Sequence, residues 1–130
     1  MDKPIRPGLK TIFLFHWIIA LVFGLVFFIY PALWTNLAGI KIEGNELYRM
    51  LGAAMLALSV SSWLAFRAKM WESVRILVIT EIVWTILATI VLLYYIIKWG
   101  FPPLYWLSAG LMAFFAIVFT WSYFLYGRKT

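Results

Sequence analysis

Apolar residues in this chain fall into four long runs, Thr11 to Tyr30, Leu47 to Phe66, Ile76 to Ile97 and Leu104 to Tyr126, and polar residues crowd the short breaks between them. Each run is close to the roughly twenty residues with which a helix crosses a hydrocarbon core about 30 Å thick. Lipid does not tolerate unpaired backbone groups, and the runs lack the strict alternation of barrel strands, so each predicts a helix. The expected fold class is all-α: an integral membrane four-helix bundle forming a single transmembrane domain over residues 1–130, with helices at approximately 11–30, 47–66, 76–97 and 104–126.

The breaks carry their own chemistry. Pro31 is expected to close the first helix, and Gly44-Asn45-Glu46 to supply a turn, an N-cap and an acidic first turn for the second. RAKMWESVR (67–75) reads as a short polar link, and Gly100-Phe101-Pro102-Pro103 as a turn before the last run. Lys3, Arg6 and Lys10 ahead of the first run resemble the start of a signal peptide. The apolar stretch that follows exceeds an h-region of about 7–15 residues and is not followed by a clear A-x-A site, so an uncleaved helix is expected.

Composition agrees with a membrane location. The 130 residues are 65% hydrophobic and 12% charged, where soluble domains carry about 25% charged residues. One aqueous core of this size could not hide that much apolar surface, which excludes a water-soluble enzyme. The absence of cysteine excludes disulfides, thiolate metal sites and iron–sulfur clusters, and one histidine excludes a bis-histidine haem within one chain. With neither a metal motif nor a phosphate loop, no cofactor is expected. The net charge of +6 comes from basic residues that flank the apolar runs instead of forming a stripe, so no nucleic acid partner is expected.

Those basic residues set an orientation. Lys3, Arg6, Lys10, Arg67, Lys69, Arg75, Arg128 and Lys129 fall on one side, eight in all, against three on the other, Lys41, Arg49 and Lys98. The positive-inside rule then puts the N- and C-termini in the cytoplasm, in a multi-pass protein of the cell membrane. Trp34, Trp99, Tyr105 and Trp106 are expected at the outer interface, Trp71 and Tyr126 at the inner one.

Against this background Glu81, in the run VITEIVW, stands out. An ionised carboxylate at a helix centre costs about 2.5–3.5 kcal/mol on insertion scales, so Glu81 should be protonated, paired or hydrated. Counted at 1.5 Å per residue, Glu81 and His16 both lie roughly 8–9 Å inside the cytoplasmic interface. Ser61, Ser62, Thr120 and Ser122 fall at a similar level on the second and fourth runs, and Trp17, Trp63, Trp84 and Trp121 accompany them. Trp84, one turn from Glu81, is expected to wall an internal site.

Small residues recur at helical spacing: His16, Ala20 and Gly24; Ala53, Ala57, Ser61 and Ala65; Glu81, Thr85 and Ala88; Ala109, Ala113, Ala116 and Thr120. Such stripes let helices approach closely in lipid. They predict a bundle with polar groups inside and Leu, Ile, Val and Phe outside. The candidate ligand-binding or proton site is Glu81, His16, Trp84, Ser61, Ser62, Thr120, Trp17 and Trp63, centred on a Glu81–His16 contact. The alternatives are packing glue worth about 0.6 kcal/mol per contact and a contact with another subunit.

The line LYRMLGAAMLALSVSSWLAFR, followed by a short basic link and a third helix bearing Glu and Trp, resembles the small four-helix DoxX-like membrane proteins over most of the chain. The resemblance implies a fold and little about activity. The chain is also similar to small multidrug-resistance exporters, but their membrane glutamate lies on the first helix, and the charge bias here opposes dual insertion. Sterol isomerases similarly use His, Glu and Trp within a bundle, together with further acids that have no counterpart here.

The leading functional expectation is a binding or accessory protein. Its intramembrane Glu/His/Trp cluster would hold a lipid, quinone or other amphipathic ligand, or the bundle would dock as a homo-oligomer or in a larger membrane complex. A proton-coupled carrier of a small lipophilic or cationic substrate ranks second. A membrane isomerase using His16 and Glu81 as an acid/base pair ranks last.

Overall fold

The first helix ends just ahead of Pro31, as expected, and Pro31 also opens another. In the computed structural model, which describes residues 3–41 and 44–127, α1 (Pro7–Ile29) stops at Tyr30, where φ −136° and ψ 66° leave the helical region ahead of the proline. Pro31 then takes the first position of a second helix, α2 (Pro31–Ala38), where its missing N–H is not needed. Gly39 ends α2 at φ 70°, a left-handed conformation that glycine adopts without strain. After it come α3 (Glu46–Arg67), a single 3-10 turn at Trp71–Ser73, α4 (Arg75–Trp99) and α5 (Leu104–Gly127). The described chain is therefore all-helical with five helices, and α1, α3, α4 and α5 are long and apolar enough to cross a membrane.

Those four pack as two antiparallel pairs. α1 lies along α3 and α4 along α5 over most of their lengths, whereas α1 meets α5 and α3 meets α4 sparsely. α1 and α4 therefore stand diagonally across the bundle, and a seam separates the two pairs. Within the first pair the approach is close because Gly24 faces Leu56, and Gly52 faces the backbone of Phe27 and Phe28. Arg49 reaches across the same pair and donates to the Phe28 carbonyl at 2.7 Å, satisfying an acceptor at the end of α1.

Two of the expected small-residue stripes are displaced. The buried face of α3 is Gly52, Met55, Ser59, Ser62 and Ala65, while Ala53 and Ala57 are exposed. A strict four-residue stripe advances about 40° around a helix per step, so three steps carry it off the face on which it began. On α5 only Ala109 of the expected stripe is buried, and Phe115 and Phe119 fill the interior instead. With Phe13 and Phe27 also inside, phenylalanine is a core residue here as well as an outward one.

The end of the bundle where α1 and α4 begin is tied by the chain's first described residues. Residues 3–6 run antiparallel to the α3–α4 link: Ile5 N–H donates to Lys69 O at 3.0 Å and Trp71 N–H to Lys3 O at 2.7 Å. The Tyr126 ring stacks on Trp71, with centroids 4.2 Å apart, and its hydroxyl accepts from the Arg6 N–H. Trp71 and Tyr126 are thus buried against each other. Tyr126→Phe is expected to cost about 1 kcal/mol and to speed hydrogen exchange at the Arg6 amide. Unchanged exchange there would show that the hydroxyl does not hold this segment.

At the opposite end, Trp34 of α2 and Tyr105 of α5 are likewise buried, and only Trp99 and Trp106 of the expected outer belt are exposed. Trp34 Nε1 and the Tyr48 hydroxyl converge on the Tyr105 hydroxyl at 3.5 and 3.3 Å, among Phe23, Phe27 and Phe101. In this way α2 folds over that end and joins the two pairs. Of the residues that set the expected orientation, Arg128 and Lys129 lie outside the described residues.

Candidate functional site

Nearer the N-terminal tie than the aromatic end, the diagonal helices meet through side chains. Val78, Glu81 and Thr85, spaced three and four apart, are the inward positions of this part of α4. On α1 the corresponding face is Phe13, His16, Ala20 and Gly24. Glu81 Oε2 lies 3.3 Å from His16 Nε2 across the bundle. His16 Nδ1 lies 2.7 Å from Ser62 Oγ on α3. The fourth helix contributes ring edges: Phe115 and Phe119 of α5 stand nearly perpendicular to the imidazole, with centroids 4.7 and 5.7 Å away. All four membrane-length helices therefore converge on one histidine.

The node is closed. His16, Glu81 and Ser62 are 3%, 2% and 1% exposed, and Phe13, Phe115 and Phe119 are fully buried around them. Closure has an electrostatic consequence, because neither charge can be stabilised by bulk water. Oε2 is within ion-pair reach of the imidazole yet has no hydrogen-bond partner among the described residues, so the 3.3 Å contact is an unaligned electrostatic one. Two arrangements with the same proton count leave the node neutral. In one, a protonated Glu81 faces a neutral imidazole whose Nδ1–H donates to Ser62 Oγ. In the other, an imidazolium donates through Nδ1–H to Ser62 Oγ and faces an ionised Glu81. Losing one proton from either leaves a carboxylate beside a neutral ring, and so a net charge in a closed site.

Ser, His and Glu are also the members of a hydrolytic relay, but the arrangement is unlike one. Ser62 is almost wholly covered, and the backbone N–H groups around it are committed to α3, which leaves no donor pair for an oxyanion. Nor do the described residues gather three potential metal-ligating side chains anywhere.

The other expected site residues divide into neighbours and outsiders. Trp17 and Trp63 flank the node as a tilted pair, with ring centroids 4.8 Å apart, bracing α1 against α3. Ser61 is turned away, and its hydroxyl donates to its own helix at Ala57 O and Leu58 O. Trp84 is half-buried; three residues past Glu81 it is rotated by about 60°, and the fully buried position one turn on is Thr85. The Thr85 hydroxyl donates back to the Glu81 carbonyl at 2.6 Å. Thr120 lies apart from the node, on a lateral groove along α5. Trp121 is exposed, and Ser122 is buried, donating to Val118 O at 2.8 Å.

What the sequence pattern missed was the aromatic half of the site. Phe13 one turn before His16, and Phe115-Phe119-Ser122 at four and three spacing, carried the signal, but phenylalanine had been assigned to the lipid face. α1, α3 and α4 each supply one polar residue to this level, and α5 supplies two phenylalanine rings. Set against models of known families, characterised proteins and solved structures, the chain matches none, so its function has to be read from the node and its surroundings.

Proposed function

We propose that this is a multi-pass protein of the cell membrane, with both termini in the cytoplasm, that acts as a binding or accessory protein for an amphipathic, lipid-like molecule. The observation that carries this reading is Glu81 Oε2, a buried acceptor without a hydrogen bond among the described residues, placed where the two helix pairs meet. Parting of the pairs along their sparse seam gives an apolar molecule access between them, and a hydroxyl or amine on that molecule supplies the donor that Oε2 lacks. The surrounding phenylalanines and the Trp17–Trp63 pair provide the apolar and aromatic surface on which the rest of such a ligand rests.

Protein extracted from membranes in mild detergent should carry a defined small molecule or lipid, identified by mass spectrometry of the solvent extract. Glu81→Gln retains the size and most of the hydrogen bonding of the side chain but presents a different acceptor, and should lower ligand occupancy by about tenfold, the effect of roughly 1.4 kcal/mol. Equal occupancy in the two proteins would remove the node from ligand binding.

A further inference from the structure

The lateral groove on α5 is separate from the node. It is an open depression of about 500 Å³, lined by Ala116, Ile117, Thr120, Trp121 and Phe124 of α5 and by Ile86 of α4. Ile117, Trp121 and Phe124 are all exposed, so the groove opens sideways from a membrane-length helix. The Thr120 hydroxyl and the Trp121 indole N–H are the polar side-chain groups in an otherwise apolar lining.

We propose that this groove seats one acyl chain of an anionic phospholipid whose headgroup lies against Arg75. Because α4 and α5 are antiparallel, the first residue of α4 stands beside the last turns of α5, and the Arg75 guanidinium faces Tyr123, the neighbour of groove residue Phe124. Arg75 meets Glu72 through Nη1 at 3.6 Å and is half-exposed, and a phosphate would approach that exposed half. Lys3, Arg6, Lys10, Arg67 and Lys69 occupy the same end of the bundle, at the starts and ends of the same helices and in the link between them. This charge pattern selects the occupant. A second copy inserted in the same sense would bring two such basic ends together, whereas an anionic headgroup neutralises one. The site does not depend on Glu81.

The test uses the full chain in vesicles of equal phosphatidylglycerol and phosphatidylcholine, with bound lipid read by native mass spectrometry on release. Phosphatidylglycerol should be retained about fivefold over phosphatidylcholine, the equivalent of about 1 kcal/mol for one arginine near the surface. Arg75→Gln should bring the ratio to near one, while Thr120→Trp, which fills the groove, should remove the retained lipid of either kind. Ala116→Leu serves the same purpose if Thr120→Trp fails to fold. Because none of the groove residues belongs to the node, Thr120→Trp should spare the molecule copurified at Glu81 while removing the groove lipid, which separates the two sites. Retained lipid in a folded groove-filled variant, an unchanged ratio in Arg75→Gln, or a dimer in place of a lipid-bound monomer would overturn the proposal.

Discussion

Replacing His16 with alanine should lower the stability of the bundle by about 3–5 kcal/mol when Glu81 stays ionised, because an uncompensated charge is left in the core. Uptake of a proton by Glu81 reduces that loss toward the cost of a neutral unsatisfied group, about 1–3 kcal/mol. Both figures exceed the roughly 0.6 kcal/mol typical of an interhelical polar contact in a membrane protein. The difference arises from geometry: His16 is held by Ser62 on one side and Glu81 on the other, so its removal strands groups on two helices at once. Reversible unfolding in mixed micelles is the measurement.

The pair is then separated from its members by the double variant His16→Leu/Glu81→Met. Apolar residues of similar volume in place of a buried ion pair are often neutral or stabilising, so the double variant should be much closer to the parent than the sum of the two single changes. A coupling of about 0.5–3 kcal/mol is expected. Additive single effects would mean that the 3.3 Å contact contributes nothing as a pair. The double variant also serves the functional reading. A bundle that folds normally without either polar group, yet loses its copurified molecule, assigns the node to binding and not to packing.

Depth along each helix was legible in the sequence, and rotation about each helix was less so. Counting residues from the ends of the apolar runs placed His16, Glu81 and Ser62 at one level, because rise per residue is uniform and hydropathy marks where each span begins. Rotation depends on which side of a helix finds a partner. In a chain so apolar that lipid-facing and core-facing positions share the same residue types, hydropathy does not distinguish them. Thus Ser61 and Ser62 were equivalent on paper, and only Ser62 faces the histidine. Tryptophan was ambiguous in the same way: Trp34 and Trp71 match an interfacial belt by position, yet α2 turns Trp34 inward onto Phe27 and Tyr105, and Tyr126 with the N-terminal segment covers Trp71. The short helix α2 was missed because eight residues after a proline carry no membrane-length signal.

The same limitation hid a close backbone approach of α1 and α3, and Gly52→Ala should expose it. A Cβ at residue 52 would stand 2.5 Å from Phe28 N and 2.9 Å from both Gly24 O and Phe27 C. These are backbone atoms, so no side chain can move aside and α1 must shift away from α3. Overpacking of this kind costs about 1–3 kcal/mol, against which the gain in helix propensity from glycine to alanine is about 1 kcal/mol or less. Net destabilisation is expected. At Gly24 the nearest atoms are the Leu56 side chain at 3.0 Å and its backbone N at 3.1 Å, so part of the strain can be relieved by rotamer change and Gly24→Ala should cost less. Gly110, on the same kind of helix with nothing within 4 Å of its Cβ position, is the control: Gly110→Ala should be neutral or slightly stabilising. An unfolding series in the order Gly52→Ala, Gly24→Ala, Gly110→Ala, from least to most stable, checks the close approach directly. If Gly52→Ala were as stable as Gly110→Ala, α1 and α3 would not be in backbone contact at this point. The consequence reaches the node, because Gly52 and Ser62 share the buried face of α3 and Gly24 and His16 that of α1. Spreading the helices at the glycines therefore loosens the pair that presents Ser62 to His16, and Gly52→Ala should weaken ligand retention as well as the fold.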